Sequence, residues 1–558
     1  MLPMPVTAID TDAVRLLVGV TSHRDLVAAD VPELRRQVHD ALAWLQATFP
    51  ELALTIVSPL AEGGDQLVAE VGLELGASLV VPLALPPHLH LEDFSTAQSR
   101  DTFERLLAQA QVVTFPLPEG DVHLPGPLRD RQYLQAGLYV ANHCHVLFAL
   151  WDGSEDGGVG GTAQIVRYYL GGALPGARRA GDNLRQMLSG DDDSLVFHLP
   201  VRRVSGNQGA PVPPARWLTS SGRLCESAEV PRDFRRLFVR MQTFERDRRR
   251  YMATTQRDWP DEPMERSLQV ADAMAVHYQR LMTKGLRAIH VLAVLMGVSF
   301  LLYSDLGAPD WMLWVFLLFF VIGVLVATIA HRHDWHRKYI DYRALAEGLR
   351  VQSYWRRAGL SMTGDPEFAH DNFMQKQDVE LGWIRNVMRQ VGLMPLPAIA
   401  DPAQAVDDVI EDWVGHPGRS GQLGYYERKA ELCERHHLRT QSLGKACLWA
   451  GIGISLFLAL FHGALQPNTR NLLVTVMGTL SVIAAVREAY AYRKADKELV
   501  KQYRFMRRIY RNARTALDAA GGVRERREIL RALGDAALAE HAEWALMHRD
   551  RPIEHGRM

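Results

Sequence analysis

"CHVLFALWDGSEDGGVGGTAQIV", residues 144–166, passes from an apolar run through a glycine-rich turn into a segment with helix-like spacing. A short apolar run closed by turn residues is the pattern of a buried strand, and a change to helical spacing through glycine suits a parallel α/β sheet. The arrangement recurs upstream in "SPLAEGGDQLVAE", 58–70, which follows the apolar run "LALTIV". Other apolar runs, "VRLLVGV", "ASLVVPLAL", "AQVVTFPL" and "SLVFHLPV", alternate with helical patterns such as "VPELRRQVHDALAWLQ". This alternation predicts an α/β doubly wound, Rossmann-like N-terminal domain. Ligands of such sheets sit beyond the carboxyl ends of the strands, where helix N-termini offer free amides and a favourable dipole to anions. Both glycine turns fall at that edge: Gly63 and Gly64 open one helix, and Gly157, Gly158, Gly160 and Gly161 open another. Glycine lets a ligand approach the backbone, so two such turns point to phosphate, whereas either alone is explained by a tight strand-to-helix connection. Neither turn is a Walker loop, because no Lys-Ser or Lys-Thr follows, and neither stands after the first strand, where the dinucleotide fingerprint belongs.

The chain has 558 residues, a formal net charge of −1 and 47% hydrophobic residues, which implies several domains and does not suit a nucleic-acid binder. Cys144, Cys225, Cys433 and Cys447 form no CxxC pair, so no zinc site or disulfide framework is expected and a reducing compartment fits. The N-terminus lacks the basic region, long apolar core and small-residue cleavage site of a secretory signal, placing the N-terminal part in the cytosol.

Four further runs are nearly uncharged and about as long as a membrane span: "AIHVLAVLMGVSFLLY" (288–303), "WMLWVFLLFFVIGVLVATIA" (311–330), "ACLWAGIGISLFLALF" (446–461) and "NLLVTVMGTLSVIAAV" (471–486). They predict an all-α membrane region of four transmembrane helices in two hairpins, against the alternative of four buried helices in a large soluble domain. Lys284, Arg287, Arg332, Arg337 and Lys338 bracket the first hairpin, and Arg439, Lys445, Arg487, Arg493 and Lys494 the second. Basic flanks stay cytoplasmic, so the N-terminus, the middle segment and the C-terminus are expected on the cytoplasmic face of a bacterial inner membrane.

The hairpins look duplicated, because "HYQRLMTKGLRAIHVL" before the first span aligns with "HHLRTQSLGKACLWAG" before the third, pairing Arg280 with Arg439 and Gly285 with Gly444. A Tyr-Arg stripe follows each hairpin, in "KYIDYRALAEGLRVQSYW" and "KELVKQYRFMRRIYRNAR", at spacing that suits helix packing. The histidines of "AHRHDWHRK" and "RHHLR" lack a matching carboxylate or cysteine set and are expected to be headgroup anchors rather than metal ligands.

"VGVTSHRDL" (18–26), "SPLAEGGDQLVAE", "LEDF" (91–94), Tyr133 in "QYLQAG" and "LWDG…GGVGGT" together resemble the SLOG superfamily of Rossmann-like nucleotide-sensing domains. The membrane region is similar to the two-helix SLATT effector domains of bacterial conflict systems, with the unit occurring twice here. The resemblance implies four parts: a sensing domain at 1–205, a linker and helical connector at 206–265, a first two-span unit at 266–400 and a second at 401–558. The spans then fall near 288–304, 311–330, 446–462 and 471–487. It further implies a nucleotide-derived ligand and a pore-forming response in anti-phage defence, in contact with membrane lipid; no other cofactor is expected, and because four helices alone enclose little lumen, a homo-oligomer, tetramer or larger, is expected. Carried onto this chain, the ligand set is Gly19, Thr21, His23 and Arg24 after the first strand and Glu62, Gly63, Gly64 and Asp65 after the second, with Asp152, Gly153, Gly158, Gly160, Gly161 and Thr162. Arg24 is the cation suited to phosphate. Glu62, Asp65, Asp152, Glu155 and Asp156 are awkward beside phosphate and are expected to take ribose hydroxyls or to cap helices.

Relatives of this fold in the cytokinin-activating phosphoribohydrolase group cleave the base from a nucleotide and carry Gly-Gly-x-Gly-Thr-x-x-Glu. Ile165 stands here in place of that glutamate. Isoleucine transfers no proton and stabilises no positive charge, so no catalytic residue is assigned and sensing is preferred to hydrolysis. A ligand-independent membrane scaffold is the third reading.

Overall fold

Strand β1, Arg15–Ser22, is buried along all but its last residue, as an apolar strand covered on both faces must be. It belongs to a computed structural model that describes residues 13–115, 117, 126–154, 158–171, 194–206, 211–220, 224–360, 381–394, 399–494 and 496–549. Glu155, Asp156 and Gly157 of the second glycine turn lie outside the described residues. β1 pairs in parallel with β2 (Ala53–Val57) on one side and β5 (Val146–Trp151) on the other. β3 (Ser78–Leu83) and β4 (Gln111–Thr114) continue outward from β2, and β6 (Leu195–Pro200) from β5, all in parallel. β7 (Arg216–Ser220) and β8 (Leu224–Ser227) extend that edge antiparallel, giving the order β4-β3-β2-β1-β5-β6-β7-β8. This is the doubly wound α/β architecture expected, but it takes two strands from the stretch expected to be a connector. Strands of 5 and 4 residues carry too little alternation to stand out in a sequence.

Side chains alternate across β1, so helices cover both faces. Gly19 packs under Val140 and Cys144 at the end of helix α4 (Gly126–His143), while Ser22 points to Gly64 at the start of α2 (Gly64–Glu74). Helices α1 (Val31–Thr48), α3 (Ala97–Leu107) and α5 (Thr162–Tyr169) complete the layers that position the site. Strand order runs outward from β1 in one direction and from β5 in the other, so the winding reverses between them.

The chain divides into two compact units. One comprises Met1–Val270, Gly348–Arg356 and Leu360–Ala398; the other comprises Ala271–Glu347, Arg357–Gly359 and Ile399–Met558. The first unit contains α6 (Arg232–Thr254) and α10 (Gly382–Gly392); between these in sequence run α7 (Pro263–Leu306), α8 (Trp311–Arg332) and α9 (Trp335–Arg357). α10 closes the amino edge of the sheet, opposite the glycine turns. Gln390 accepts the Arg15 N–H at 2.8 Å and donates to the Ala13 carbonyl at 2.6 Å, and His145 Nε2 lies 2.9 Å from the Asn386 carbonyl. α6 meets the same edge: Glu245 accepts the Val14 N–H at 3.1 Å, and Phe244 lies 5.3 Å from Trp383. Residues expected within the first membrane unit therefore complete the α/β unit. Buried Arg385, Asn386, Arg389 and Gln390 look like surface residues in the sequence.

After the short α11 (Pro402–Val409), the second unit continues into α12 (Gly421–Phe461) and α13 (Pro467–Lys494), and these with α7 and α8 are long and apolar enough to cross a membrane. None of the apolar window of α8 is buried, and Trp314 is 73% and Leu460 69% exposed. Surface of that size and character suits lipid rather than water, and by length and composition the chain is a multi-pass membrane protein. Close approach between spans uses glycine: Gly297 of α7 packs on Val482, and Gly478 of α13 on Leu301. The Tyr-Arg stripes lie at helix contacts, with Tyr342 5.6 Å from Tyr278 on α7, and Tyr510 of α14 (Asp496–Ala519) 5.5 Å from Tyr426 on α12.

Candidate functional site

A cleft of about 470 Å³ opens at the reversal point, beyond the carboxyl ends of β1 and β5, where open α/β sheets hold their ligands. Its walls come from residues 20–25 at and just beyond the end of β1, Pro59, Ala61 and Asp65 of the first glycine turn, Arg129 and Tyr133 of α4, residues 158–163 of the second turn and the start of α5, and Arg203 after β6.

The loop after β1 is held at both ends. The His23 N–H donates to the Leu150 carbonyl at 3.1 Å and the ring Nε2 lies 3.0 Å from Asp152 Oδ1. Burial lowers the His23 pKa against the pull of Asp152. Burial works to raise the Asp152 carboxyl, but the Ser154 amide, His23 and Arg203 together hold it below its ordinary value. Arg203 lies 3.7 Å from Asp152 and pairs with Asp25 at 2.9 Å. Thr21, at the end of β1, lines the cleft beside them.

The first glycine turn is pressed against this loop. Gly63 has φ +91°, and a Cβ there would stand 2.5 Å from the Arg24 carbonyl oxygen and 2.9 Å from that of His23. A Cβ on Gly64 would stand 2.6 Å from Ser22 Cβ, and the Gly64 amide donates to the His23 carbonyl at 3.4 Å. Neither glycine lines the cleft, and Gly19 lies beneath it as a packing position. Glu62 also faces elsewhere, accepting the Ser95 amide at 2.9 Å and the Ser95 and Thr96 hydroxyls at 2.8 and 3.2 Å, just ahead of α3. Asp65 does face the cleft although it is only 2% exposed. Burial pushes its carboxyl up to about 7, over the opposing Ser22 hydroxyl at 2.6 Å, the Ala61 amide and the Arg24 charge.

The second turn is built differently. Gly160, φ +78°, sits where a Cβ would be 2.9 Å from the Leu134 amide nitrogen, but a Cβ on Gly158 would meet nothing within 4 Å. Gly153 has φ +82° and lies outside the lining. Gly161 starts α5 with no side-chain cap. The Gly160 amide donates to Gln164 Oε1 at 2.7 Å and the Gly161 amide to the Gly158 carbonyl at 3.0 Å, whereas the Thr162 and Ala163 amides have no partner among the described residues. Ile165, 1% exposed, fills the floor against Gly137.

Arg24 forms the opposite wall, with its guanidinium 5.0 Å from the centre of the Tyr133 ring. Tyr133 donates its hydroxyl to Asp93, and Arg129 pairs with Asp93 at 3.0 Å and Glu92 at 3.5 Å. Arg24 forms no ion pair among the described residues, although its charge acts on Asp65, and it and the two free amides are available to an anion. Among the described residues no three histidine, cysteine or carboxylate groups stand together to hold a metal ion.

Of the residues assigned from sequence, Thr21, His23, Arg24, Asp65, Gly158, Gly160, Gly161 and Thr162 come together in the lining. Gly19, Glu62, Gly63, Gly64 and Gly153 do not, and Asp152 reaches the site through His23 and Arg203. Ser22, Asp25, Asp93, Arg129, Tyr133 and Arg203 complete the walls. Asp93 and Tyr133 fall in the "LEDF" and "QYLQAG" stretches, and Arg203 follows a parallel strand at the same edge, so each carried a positional signal. Compared with known proteins, the chain matches no family model, no curated protein and no solved structure.

Proposed function

We propose that this chain is a membrane effector whose α/β unit binds a nucleotide-derived ligand in the cleft and responds by permeabilising the membrane. The observation that carries this reading is an arginine that forms no ion pair among the described residues and faces the N-terminus of α5 across a cleft at the reversal point, in a chain with four membrane-spanning helices. Connectivity supports coupling: α10 comes after the first two spans in sequence and bonds to the amino end of β1, the strand whose other end carries Arg24. Swinging a population from about 1:99 to 99:1 takes roughly 5.5 kcal/mol of differential binding, or about 1.4 kcal/mol per site in a concerted tetramer. One or two charged hydrogen bonds are enough. The spans offer few fixed charges for a filter, which favours a poorly selective opening.

Sensing is preferred to N-glycosidic hydrolysis because the floor of the cleft is Ile165, which cannot act as an acid or base. The test uses the full chain reconstituted in dye-loaded vesicles. Nucleotide is expected to release dye, and Arg24→Ala is expected to abolish that release while the protein still inserts. Dye release that ignores nucleotide would favour a scaffold, and free base appearing at a rate dependent on Asp152 would favour a hydrolase.

A further inference from the structure

The charges around the cleft restrict what its ligand carries. Three arginines and four aspartates line it. Arg203 is committed to Asp25 and Asp152, and Arg129 to Asp93 and Glu92. That leaves Arg24, stacked on Tyr133, as the cation outside any ion pair among the described lining residues, with the Thr162 and Ala163 amides facing it. A phosphate group brings a charge of about −1.5 to −2 at neutral pH and three acceptor oxygens, which this set can satisfy. A second phosphate would find no unpaired cation among the described residues and would face carboxylates, where like charges repel and desolvation goes unrepaid. Those same carboxylates keep lone pairs that accept hydrogen bonds from hydroxyls. A volume of about 470 Å³ holds one nucleoside with room to spare.

Building on the ligand-binding reading above, we propose that the cleft takes a ligand with a single phosphate group and a hydroxyl-bearing sugar, the class of nucleoside monophosphates, and discriminates against di- and triphosphates. The phosphate sits between Arg24 and the N-terminus of α5, and the sugar turns its hydroxyls toward the Asp25 and Asp152 side.

Calorimetry on the full chain in detergent, without divalent cations, tests this with AMP, GMP, CMP and UMP, their di- and triphosphates, and the unphosphorylated nucleosides. At least one monophosphate is expected to bind tenfold or more tightly than its own diphosphate, with the triphosphate weaker again and the nucleoside weaker than the monophosphate. Arg24→Ala is expected to bring monophosphate binding down to that of the nucleoside, while Arg24→Lys retains part of it. Equal or tighter binding of di- or triphosphates overturns the single-phosphate assignment and leaves the ligand-binding reading standing. Absence of heat with every compound overturns the assignment too, and dye release from vesicles by any other nucleotide then decides the broader reading separately.

Discussion

Gly63 and Gly158 each lie between a parallel strand and a helix, yet a side chain on Gly63 would stand 2.5 Å from the Arg24 carbonyl oxygen while one on Gly158 would meet open space. Both turns occur at the sheet edge where anions bind, and glycine appears in each for a different reason. In the first, missing side chains let two stretches of backbone touch, and the result is a fixed platform for Arg24. In the second, Gly160 likewise makes room for a neighbouring backbone, but Gly158 lines the cleft and the first amides of α5 remain unpaired among the described residues. A glycine-rich turn is therefore evidence of close approach, and only the third dimension says whether protein or ligand makes the approach.

A methyl group placed on each turn separates the two roles most clearly. Gly63→Ala forces an alanine into a backbone region that is nearly glycine-only and drives its Cβ into a carbonyl oxygen, for a combined cost of about 3 kcal/mol or more. Denaturant unfolding of the full chain in detergent should show that loss, and an unchanged midpoint would remove the platform role of the first turn.

Arg24→Ala is expected to weaken ligand binding by roughly 10- to 100-fold, the worth of a charged hydrogen bond. It should leave the thermal midpoint within about 2 °C, because this side chain rests on Tyr133 rather than inside the core. A large drop in melting temperature would make Arg24 part of the platform and not of the site.

Asp65 makes the first turn sensitive to pH. Its folded-state pKa of about 7 lies above the ordinary 3.8, so between those values the folded chain keeps a proton that the unfolded chain releases. Stability should fall as pH rises from about 4 to about 7 and then level off. Asp65→Asn should remove that component of the slope in melts across this range; a slope identical to wild type would show that the carboxyl ionises normally.

Glu62→Gln should cost about 1 kcal/mol, because Glu62 accepts hydrogen bonds from Ser95 and Thr96 ahead of α3, and should leave nucleotide affinity unchanged. Loss of affinity at normal stability would place Glu62 in the site after all. The smallest effect is expected at Gly158→Ala, within about 0.5 kcal/mol on stability, so any loss it causes should appear in binding alone.

Apolar runs of strand length alternating with helical spacing were enough to read the doubly wound sheet, because a central parallel strand such as β1 must be apolar on both faces. The four spans were legible for a similar reason: no water-soluble segment needs the uncharged run of α8, whose window is wholly unburied. The spacing of the Tyr-Arg stripes matched helix contacts that the tertiary structure makes. These are features in which a local pattern carries the constraint.

Other features depend on residues far apart in the chain. α10, with Arg385, Asn386, Arg389 and Gln390 all buried, looks like an amphipathic helix with one face in water until Ala13, Arg15 and His145 are brought to it, more than two hundred residues away in sequence. The division of the acidic residues was equally hidden: Glu62 turns to α3, Asp152 to His23 and Arg203, and Asp65 inward to Ser22. Residue type and spacing can place a carboxylate at a sheet edge, but its partner comes from another strand. Its charge, its burial and its access to a ligand depend on that partner, so they are decided when the chain folds.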